Sequence, residues 1–490
     1  MKRGAVKSTV LGLLLPALFL LCPSCAINPV SGGPELMLVS EQEEMKIGRE
    51  TDLQIKKEYG VYQDPKLTAY LDGLYQRLGK LSHRPNLPYQ FKVVDVSVVN
   101  AFAVPGGYVY FTRGILASLN NEAELAGVMG HEIGHITARH SAQQMSRAQL
   151  AQIGLLAGMV LSDTFRALSD AVGLGVGMLF LSFSRENERQ ADDLGVEYAS
   201  KAGYDARQMA NFFETLEKMN PGSDKTGLPS WFSTHPSPEE REKTVRERAA
   251  EWQKKLGLKD PKINRDQYLK EIDGLVYGED PRQGFVDKGV FYHPEMRFQF
   301  PVPAQWKVNN TTSNVQMVSK EGDAAILFSI APGKSPAEAA KAFVSKNKAS
   351  VLQSGTVNVH GLSSYRLISD IPTQKANYRV LSYFIQREQQ IYVFHGLTTP
   401  ALFARYNETF ENTMRQFDQL SDPKRINVKP SRIRIKSTGR TESMEATLRS
   451  LGIPKEEFKE VSLLNGIELT DSVSANTLIK VIEKGDAFQK

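Results

Sequence analysis

The stretch Gly130-His131-Glu132-Ile133-Gly134-His135 decides how the rest of this chain is read. A helix turns about 100° per residue, so side chains four apart lie about 40° apart and one turn above each other. On a helix, His131 and His135 offer two imidazoles to one metal ion, and Glu132 projects beside them toward water. Asn121 is placed to cap that helix, and Glu122, Glu124, Leu125, Val128 and Met129 carry it into the motif. His140 comes five residues after His135, about 140° around the same helix, and cannot join the same ion. It is read as structural, bonded to a neighbouring carboxylate.

Upstream, Ser40 to Tyr59 reads as a helix opened by a Ser40/Glu43 capping box. Pro65 to Leu78 reads as a second, with Leu67, Leu71, Leu74 and Leu78 on one stripe. Tyr89 to Val99 reads as a strand. Asn100-Ala101-Phe102-Ala103-Val104-Pro105-Gly106-Gly107 and the following Tyr108 to Phe111 read as two short strands turning at Pro105-Gly106-Gly107. Two uses are open. The hairpin is structural, or it lies beside the metal and binds an extended peptide at its edge. In the second case Asn100, Ala101, Phe102, Pro105 and Gly106 form the substrate-binding strand.

Downstream, a third ligand is required, because a zinc ion that does chemistry takes three protein ligands and keeps one position open. Ser184 to Asp193 reads as a charged helix between apolar runs. Glu188 and Asp192, four apart, share a face. Glu188 can ligate while Asp192 accepts a hydrogen bond from a ligand imidazole and fixes its tautomer. The alternative is a solvated face on which Glu186 and Glu188 merely meet Arg185 and Arg189.

The bulk numbers bound the rest. A chain of 490 residues is too long for a single core. Its 60 basic and 55 acidic residues leave a net charge of +5, too mild and dispersed for nucleic acid. Its two cysteines, Cys22 and Cys25, imitate a redox pair. Their position argues otherwise, since Lys2, Arg3 and Lys7 precede an apolar run from Val10 to Leu21. Ser24 before Cys25 resembles a bacterial lipoprotein signal, with residues 1–24 removed and Cys25 lipidated. The alternative is a plain secretory signal with Cys25 unmodified.

Taken together, Asn100-Ala-Phe-Ala-x-Pro-Gly-Gly, Asn121-Glu-Ala-Glu-Leu-Ala-Gly-Val, the His-Glu-Ile-Gly-His motif with Arg139-His140, and Arg185-Glu-Asn-Glu-x-x-Ala-Asp resemble the zinc-peptidase family of HtpX and the CAAX prenyl endopeptidase. The likeness is strongest to its periplasmic BepA-like and LoiP-like branch, and the leader from Cys25 is similar to its lipoprotein members. The resemblance implies a mainly α-helical, gluzincin-type zinc protease domain with a small β-sheet over residues 25–280. It implies one zinc ion held by His131, His135 and Glu188, with Glu132 as catalytic base and Asp192 matching the family's aspartate. The family also carries a stretch like Thr234-His235-Pro236 near its cleft. His235 then stabilises a transition-state oxyanion, latches the open zinc position, or is a surface-loop residue. Arg241 can serve the same oxyanion role.

Ile153 to Phe183 is apolar and glycine-rich, but Asp163, Arg166 and Asp170 break it into pieces too short to cross about 30 Å of hydrocarbon. It is expected as a helical hairpin, either beside the cleft, touching a membrane surface or client, or buried in the core. Tyr204 to Met219 and Glu239 to Leu256 read as helices closing the domain. Residues 288–421 read as an α+β domain resembling PsbP-like modules. Its helices, Ser335 to Val351 and Pro400 to Phe417, are expected on one face of an antiparallel sheet. His293, His360 and His395 there show no ligand spacing. Residues 428–486 read as strand, helix, helix, strand and resemble a LysM module, which binds peptidoglycan in relatives. Glu442-Ser443-Met444 departs from that pattern, leaving glycan binding and protein docking both open.

The expectation is a zinc metalloendopeptidase of the bacterial cell envelope, lipid-anchored at the outer membrane, facing the periplasm, and acting on unfolded or misassembled envelope proteins. One alternative is an assembly chaperone with a latent peptidase, docked on outer-membrane assembly machinery. Another is a peptidoglycan-directed hydrolase.

Overall fold

The computed structural model describes residues 25–155, 182–219, 230–236, 240–373, 376–486 and 488. The signal sequence, and most of the apolar Ile153 to Phe183 stretch, lie outside these. Among the described residues no helix is long and apolar enough to cross a membrane.

The leader forms a small hairpin of β1 (Cys25–Ile27) and β2 (Pro34–Leu36). Helix α1 (Glu41–Tyr59) starts at the expected capping box, with both Ser40 and Glu43 engaged. Helix α2 (Pro65–Leu81) is capped by Asp64 and buries Leu67, Leu71, Leu74 and Leu78. The expected Tyr89 to Val99 strand is shorter, β3 (Gln90–Val94). It pairs with only five residues of its parallel neighbour, after which Asp95 turns away to bind Arg113. Strands β4 (Ala101–Val104) and β5 (Tyr108–Thr112) are antiparallel, and the order β3-β5-β4 leaves β4 at the sheet edge.

Helix α3 (Arg113–Ser118) leads to α4 (Glu122–Thr137), every residue of which is buried. Asn121 caps α4 by accepting from the Glu124 amide. Around α4 lie α5 (His140–Leu155), α6 (Arg185–Lys201) and α7 (Gln208–Met219). The short α8 (Trp231–Thr234) follows, then α9 (Arg241–Leu256), which starts just after a left-handed Glu240, and α10 (Arg265–Glu271).

The second unit contains β6 (Phe285–Asp287), β7 (Val290–His293), β8 (Phe298–Pro301), β9 (Lys307–Asn310), β10 (Asn314–Val318) and β11 (Ala324–Ala331). After α11 (Pro336–Asn347) come β12 (Ser350–Val359), β13 (Leu362–Pro372), β14 (Asn377–Arg387), β15 (Gln390–Thr398), α12 (Phe403–Arg415) and β16 (Asp418–Gln419). A seven-stranded sheet, ordered β12-β13-β14-β15-β11-β10-β9, packs on a four-stranded sheet ordered β16-β8-β7-β6. The expectation of both helices on one face is corrected. Paired Phe384 and Val393 face α11, whereas paired Tyr383 and Phe394 face the cluster that holds α12. Both faces of the central strands are apolar, so each can take a helix. Helix α11 also ends earlier than expected. Lys348 takes a left-handed conformation (φ 49°), and Val351 belongs to β12.

The last unit contains β17 (Arg432–Ser437), β18 (Glu442–Ser443), α13 (Met444–Ser450), α14 (Phe458–Asn465), β19 (Ser472–Val473) and β20 (Leu478–Glu483), with β17 and β20 paired. It does not hang on a linker. Its Ile433, Leu448, Val461, Leu464 and Ile479 lie in one hydrophobic core with Leu116, Leu119 and Met209 of the first unit. Ile433 exchanges backbone hydrogen bonds with Gly274 and Leu275, both 2.8 Å. Lys480 is fully buried at this seam and donates to the carbonyls of Ala117 (2.8 Å) and Leu119 (2.9 Å).

Candidate metal centre

The centre is made by α4 and α6 lying unusually close together. A Cβ on Gly130 would stand 2.9 Å from the Gly195 carbonyl, and one on Gly195 2.9 Å from the His131 amide. A Cβ on Gly134 would stand 3.1 Å from Ala191. Three glycines therefore let the backbones touch, which carries Glu188, at the start of α6, to the two histidines of α4.

His131 Nε2 lies 3.0 Å from His135 Nε2 and 3.6 Å from Glu188 Oε2, and His135 Nε2 lies 3.5 Å from Glu188 Oε1. His235 joins them: its Nδ1 is 3.2 Å from Glu188 Oε1 and 3.4 Å from His131 Nε2. One ligand atom from each of the four falls within 4.8 Å of the others, and all four residues are buried. Ligands at zinc's usual bond lengths stand about 3.3–3.6 Å apart around a tetrahedral ion. The donor set fits one zinc ion. Without an ion, bare imidazole nitrogens and a carboxylate packed this tightly, with Glu188 Oε2 accepting no hydrogen bond, leave buried polar atoms uncompensated.

The ring orientations are fixed from behind. Asp192 Oδ1 is 2.9 Å from His131 Nδ1, which leaves Nε2 facing the centre. Arg241 in turn grips Asp192 through Nε (2.9 Å) and Nη2 (2.7 Å). Burial would raise the Asp192 carboxyl, but Arg241 and His131 outweigh it and hold the group below its usual range. Two of the three Arg241 nitrogens are thus committed to orienting Asp192, while Nη1 makes no hydrogen bond.

His135 is held by a relay absent from the sequence reading. His140 Nε2 lies 2.9 Å from Gln190 Oε1, and His140 Nδ1 lies 2.9 Å from His135 Nδ1. The amide oxygen only accepts, so His140 carries its proton on Nε2 and accepts from His135 Nδ1. Burial keeps His140 neutral by pushing it down to about 4. His135 is left with a bare Nε2 aimed at the centre. The expected carboxylate partner of His140 is therefore an amide, that of Gln190, a residue that spacing alone did not single out.

Glu132 is fully buried and neither carboxylate oxygen accepts a hydrogen bond. Burial pushes its carboxyl above the ordinary range. His235 Nε2 lies 3.7 Å from it and 3.3 Å from the Ala101 carbonyl. Trp231 stacks on His235 at 4.2 Å between ring centres, and Phe183 stacks on His135 at 4.1 Å.

The substrate-strand residues divide. Ala101 is on the β4 edge nearest the centre, but its carbonyl already meets His235, and the Val99 carbonyl accepts from the Trp231 amide at 3.0 Å. The Asn100 amide donates to the Thr112 hydroxyl (3.2 Å), and its carbonyl accepts from the Thr112 amide (3.1 Å). Phe102 points away and stacks on Tyr110. The Pro105–Gly106 turn is buried against α1, where a Cβ on Gly48 would stand 2.2 Å from the Pro105 carbonyl, and it shares a small pocket with His135. Cys25 opens β1, which is tied toward α5 through Glu35 and Gln143 (3.0 Å).

Residues 65–249 match the model of peptidase family M48. A putative beta-barrel assembly-enhancing protease of Vibrio cholerae is 36% identical over 200 residues, covering 39% of this chain and 41% of that protein. The beta-barrel assembly-enhancing protease of Escherichia coli K12 is 30% identical over 253 residues, covering 50% and 51%. The mitochondrial metalloendopeptidase OMA1 of Schizosaccharomyces pombe is 30% identical over 237 residues, covering 47% of this chain and 68% of that protein. The chain belongs to peptidase family M48 and carries its zinc metallopeptidase domain. It spans about half the length of the bacterial relatives it matches. A solved cyanobacterial PsbP from Synechocystis sp. PCC 6803 overlaps 29% of this chain and 98% of its own, at 12% identity and a TM-score of 0.24, too low to assign the second unit.

Proposed function

We propose that this chain is a zinc-dependent endopeptidase of the bacterial cell envelope, tethered through Cys25, that cleaves unfolded or unassembled envelope proteins from a latched resting state. The observation that carries it is the buried Glu132 carboxylate, which accepts no hydrogen bond, beside a complete His131, His135, Glu188 donor set. The bacterial relatives' names, which speak of β-barrel assembly, support the envelope setting.

A zinc ion there would supply Lewis acidity, making a water nucleophilic near neutral pH and polarising a peptide carbonyl. Glu132 takes the proton of the attacking water and returns it to the leaving amine. Asp192 and the His140–Gln190 relay keep the two imidazoles turned inward. His235 does two things in the resting state. It supplies a fourth donor, closing a site that catalysis needs open, and it holds the Ala101 carbonyl that an extended substrate would use. Withdrawal of the Trp231–His235 turn frees both together, and His235 is then positioned to meet the developing oxyanion.

The closed donor set also favours a second reading, a docking or chaperone role in which the peptidase stays latent. Purified full-length chain is to be incubated with an unfolded protein, with and without a chelator, beside Glu132→Gln and His235→Ala. Chelator-sensitive cleavage lost in Glu132→Gln is expected. Equal cleavage by wild type and Glu132→Gln overturns the peptidase reading. Cleavage by His235→Ala alone favours latency.

A further inference from the structure

A cavity of about 590 Å³ lies between the second unit and the closing segment of the C-terminal unit. It shares no lining residue with the metal centre. Its second-unit wall is aromatic and apolar, made by Phe285, Phe291, Val302 and Trp306. Phe291 is fully buried at its base, while Phe285 and Trp306 are half-buried and so within reach of a ligand. A concave space of this size with an apolar wall has the ordinary form of a binding pocket.

Part of the chain itself shows what this wall accepts. Phe488 lies flat on Phe285, with ring centres 3.8 Å apart and planes 26° from parallel. The backbone that leads to it is held as a bound peptide would be. The Gly485 amide donates to the Ser431 hydroxyl (3.0 Å), and the Asp486 amide to the Lys429 carbonyl (2.9 Å). The Lys429 amide donates back to the Asp486 carboxylate (2.7 Å). The two backbones touch, since a Cβ on Gly485 would stand 2.1 Å from the Lys429 carbonyl. An amide on a carbonyl, with one ring stacked on an aromatic wall, is what an extended peptide supplies. An acyl chain covers the apolar wall but leaves the Lys429 carbonyl without that donor. The cavity remains with Phe488 in place, so the ring covers Phe285 without filling the space beside it.

We propose that this cavity docks an aromatic side chain of an extended peptide, and that Phe488 occupies its mouth in the resting chain. The incoming ring takes the place of Phe488 on Phe285, and the incoming backbone takes the place of Asp486 on Lys429. A tethered competitor of this kind acts at an effective concentration on the order of 1 mM. The site is thus shielded from weak peptides and open to one that fills more of the cavity. Docking here is separate from cleavage and does not depend on the zinc chemistry.

The test uses full-length chain carrying Glu132→Gln, so that no probe is cut, with and without Phe488→Ala. Calorimetry is run with three probes. The first is acetyl-Gly-Asp-Ala-Phe-Gln-Lys-amide, the sequence of residues 485–490. The second is its twin with alanine in place of the phenylalanine, and the third is decanoate. The first peptide is expected to bind the Phe488→Ala chain with a Kd below about 1 mM. That binding is expected to be at least about tenfold tighter than to the chain with Phe488, and at least about tenfold tighter than that of the twin. Phe285→Leu and Trp306→Leu, each added to Phe488→Ala, are each expected to weaken it at least about fivefold. Either wall variant carries the test if the other misfolds, with circular dichroism and ligand-free melting as the check. The proposal is overturned if the first peptide shows no such binding, binds no better than its twin, or binds no better once Phe488 is removed. It is also overturned if the folded wall variants bind unchanged. Decanoate binding more tightly than the peptide, and lost with Phe285→Leu, assigns the cavity to acyl chains and overturns the peptide reading.

Discussion

Helix α4 buries a polar cluster at each end, and the two are built on opposite terms. At its C-terminal half, His131, Glu132, His135, Glu188 and His235 bring bare nitrogens and carboxylate oxygens together, with Glu132 accepting no hydrogen bond. At its N-terminal end, the buried Glu124 accepts from the Asn120 amide and Asn121 Nδ2, and the buried Lys480 donates to the Ala117 and Leu119 carbonyls. Burial pushes the Glu124 carboxyl up and the Lys480 ammonium down, and each one's opposite charge works against the other's shift. The first cluster needs an ion to be stable; the second needs the C-terminal unit. Burial of charge alone therefore does not mark a catalytic site. The mark is a donor set that converges on one point with a base left unsatisfied beside it.

The comparison can be broken first at Glu132. Glu132→Gln keeps shape and zinc content and removes the base, so peptide hydrolysis falls by about 10²- to 10⁴-fold, read by proteolysis beside metal analysis. Asp192→Ala unties His131 and releases Arg241, so zinc affinity falls by about 10- to 100-fold in competition with a chelating dye. His235→Ala opens the fourth position and the β4 edge, so turnover on an unfolded substrate rises by about tenfold, or about 1.4 kcal/mol of barrier. Lys480→Met leaves the Ala117 and Leu119 carbonyls without this donor and removes the positive charge near Glu124. Urea unfolding is expected to show a loss of about 1–3 kcal/mol with zinc content unchanged. A loss of zinc in that last variant would mean that the two ends of α4 are not independent.

Much of the centre was legible because its geometry is local. A four-residue spacing on a helix fixes His131 against His135, and Glu188 against Asp192, whatever the rest of the chain does. The cap at Asn121 and the capping box at Ser40 were legible for the same reason. What brings the two helices together was not. Gly130, Gly134 and Gly195 read as gaps in a pattern, and only their contact across the interface gives them meaning. Gln190 escaped notice because its role passes through His140 to a ligand. The substrate-strand reading placed Pro105 and Gly106 at the centre because a glycine turn suits close approach. The close approach they make is to α1, with His135 across a small pocket. In the second unit β12 was missed because its first half, Ser350 to Ser354, is exposed on both faces and shows no alternation. The docking of the C-terminal unit had no local signal, since a buried lysine looks like any surface lysine in sequence.

The central claim is that the resting site holds one zinc ion with all four protein donors engaged, His235 among them. Zinc-edge X-ray absorption on the purified full-length chain counts the imidazoles directly. Three imidazoles and a carboxylate in the wild type, falling to two imidazoles in His235→Ala, are predicted. Two imidazoles in both proteins would contradict the account.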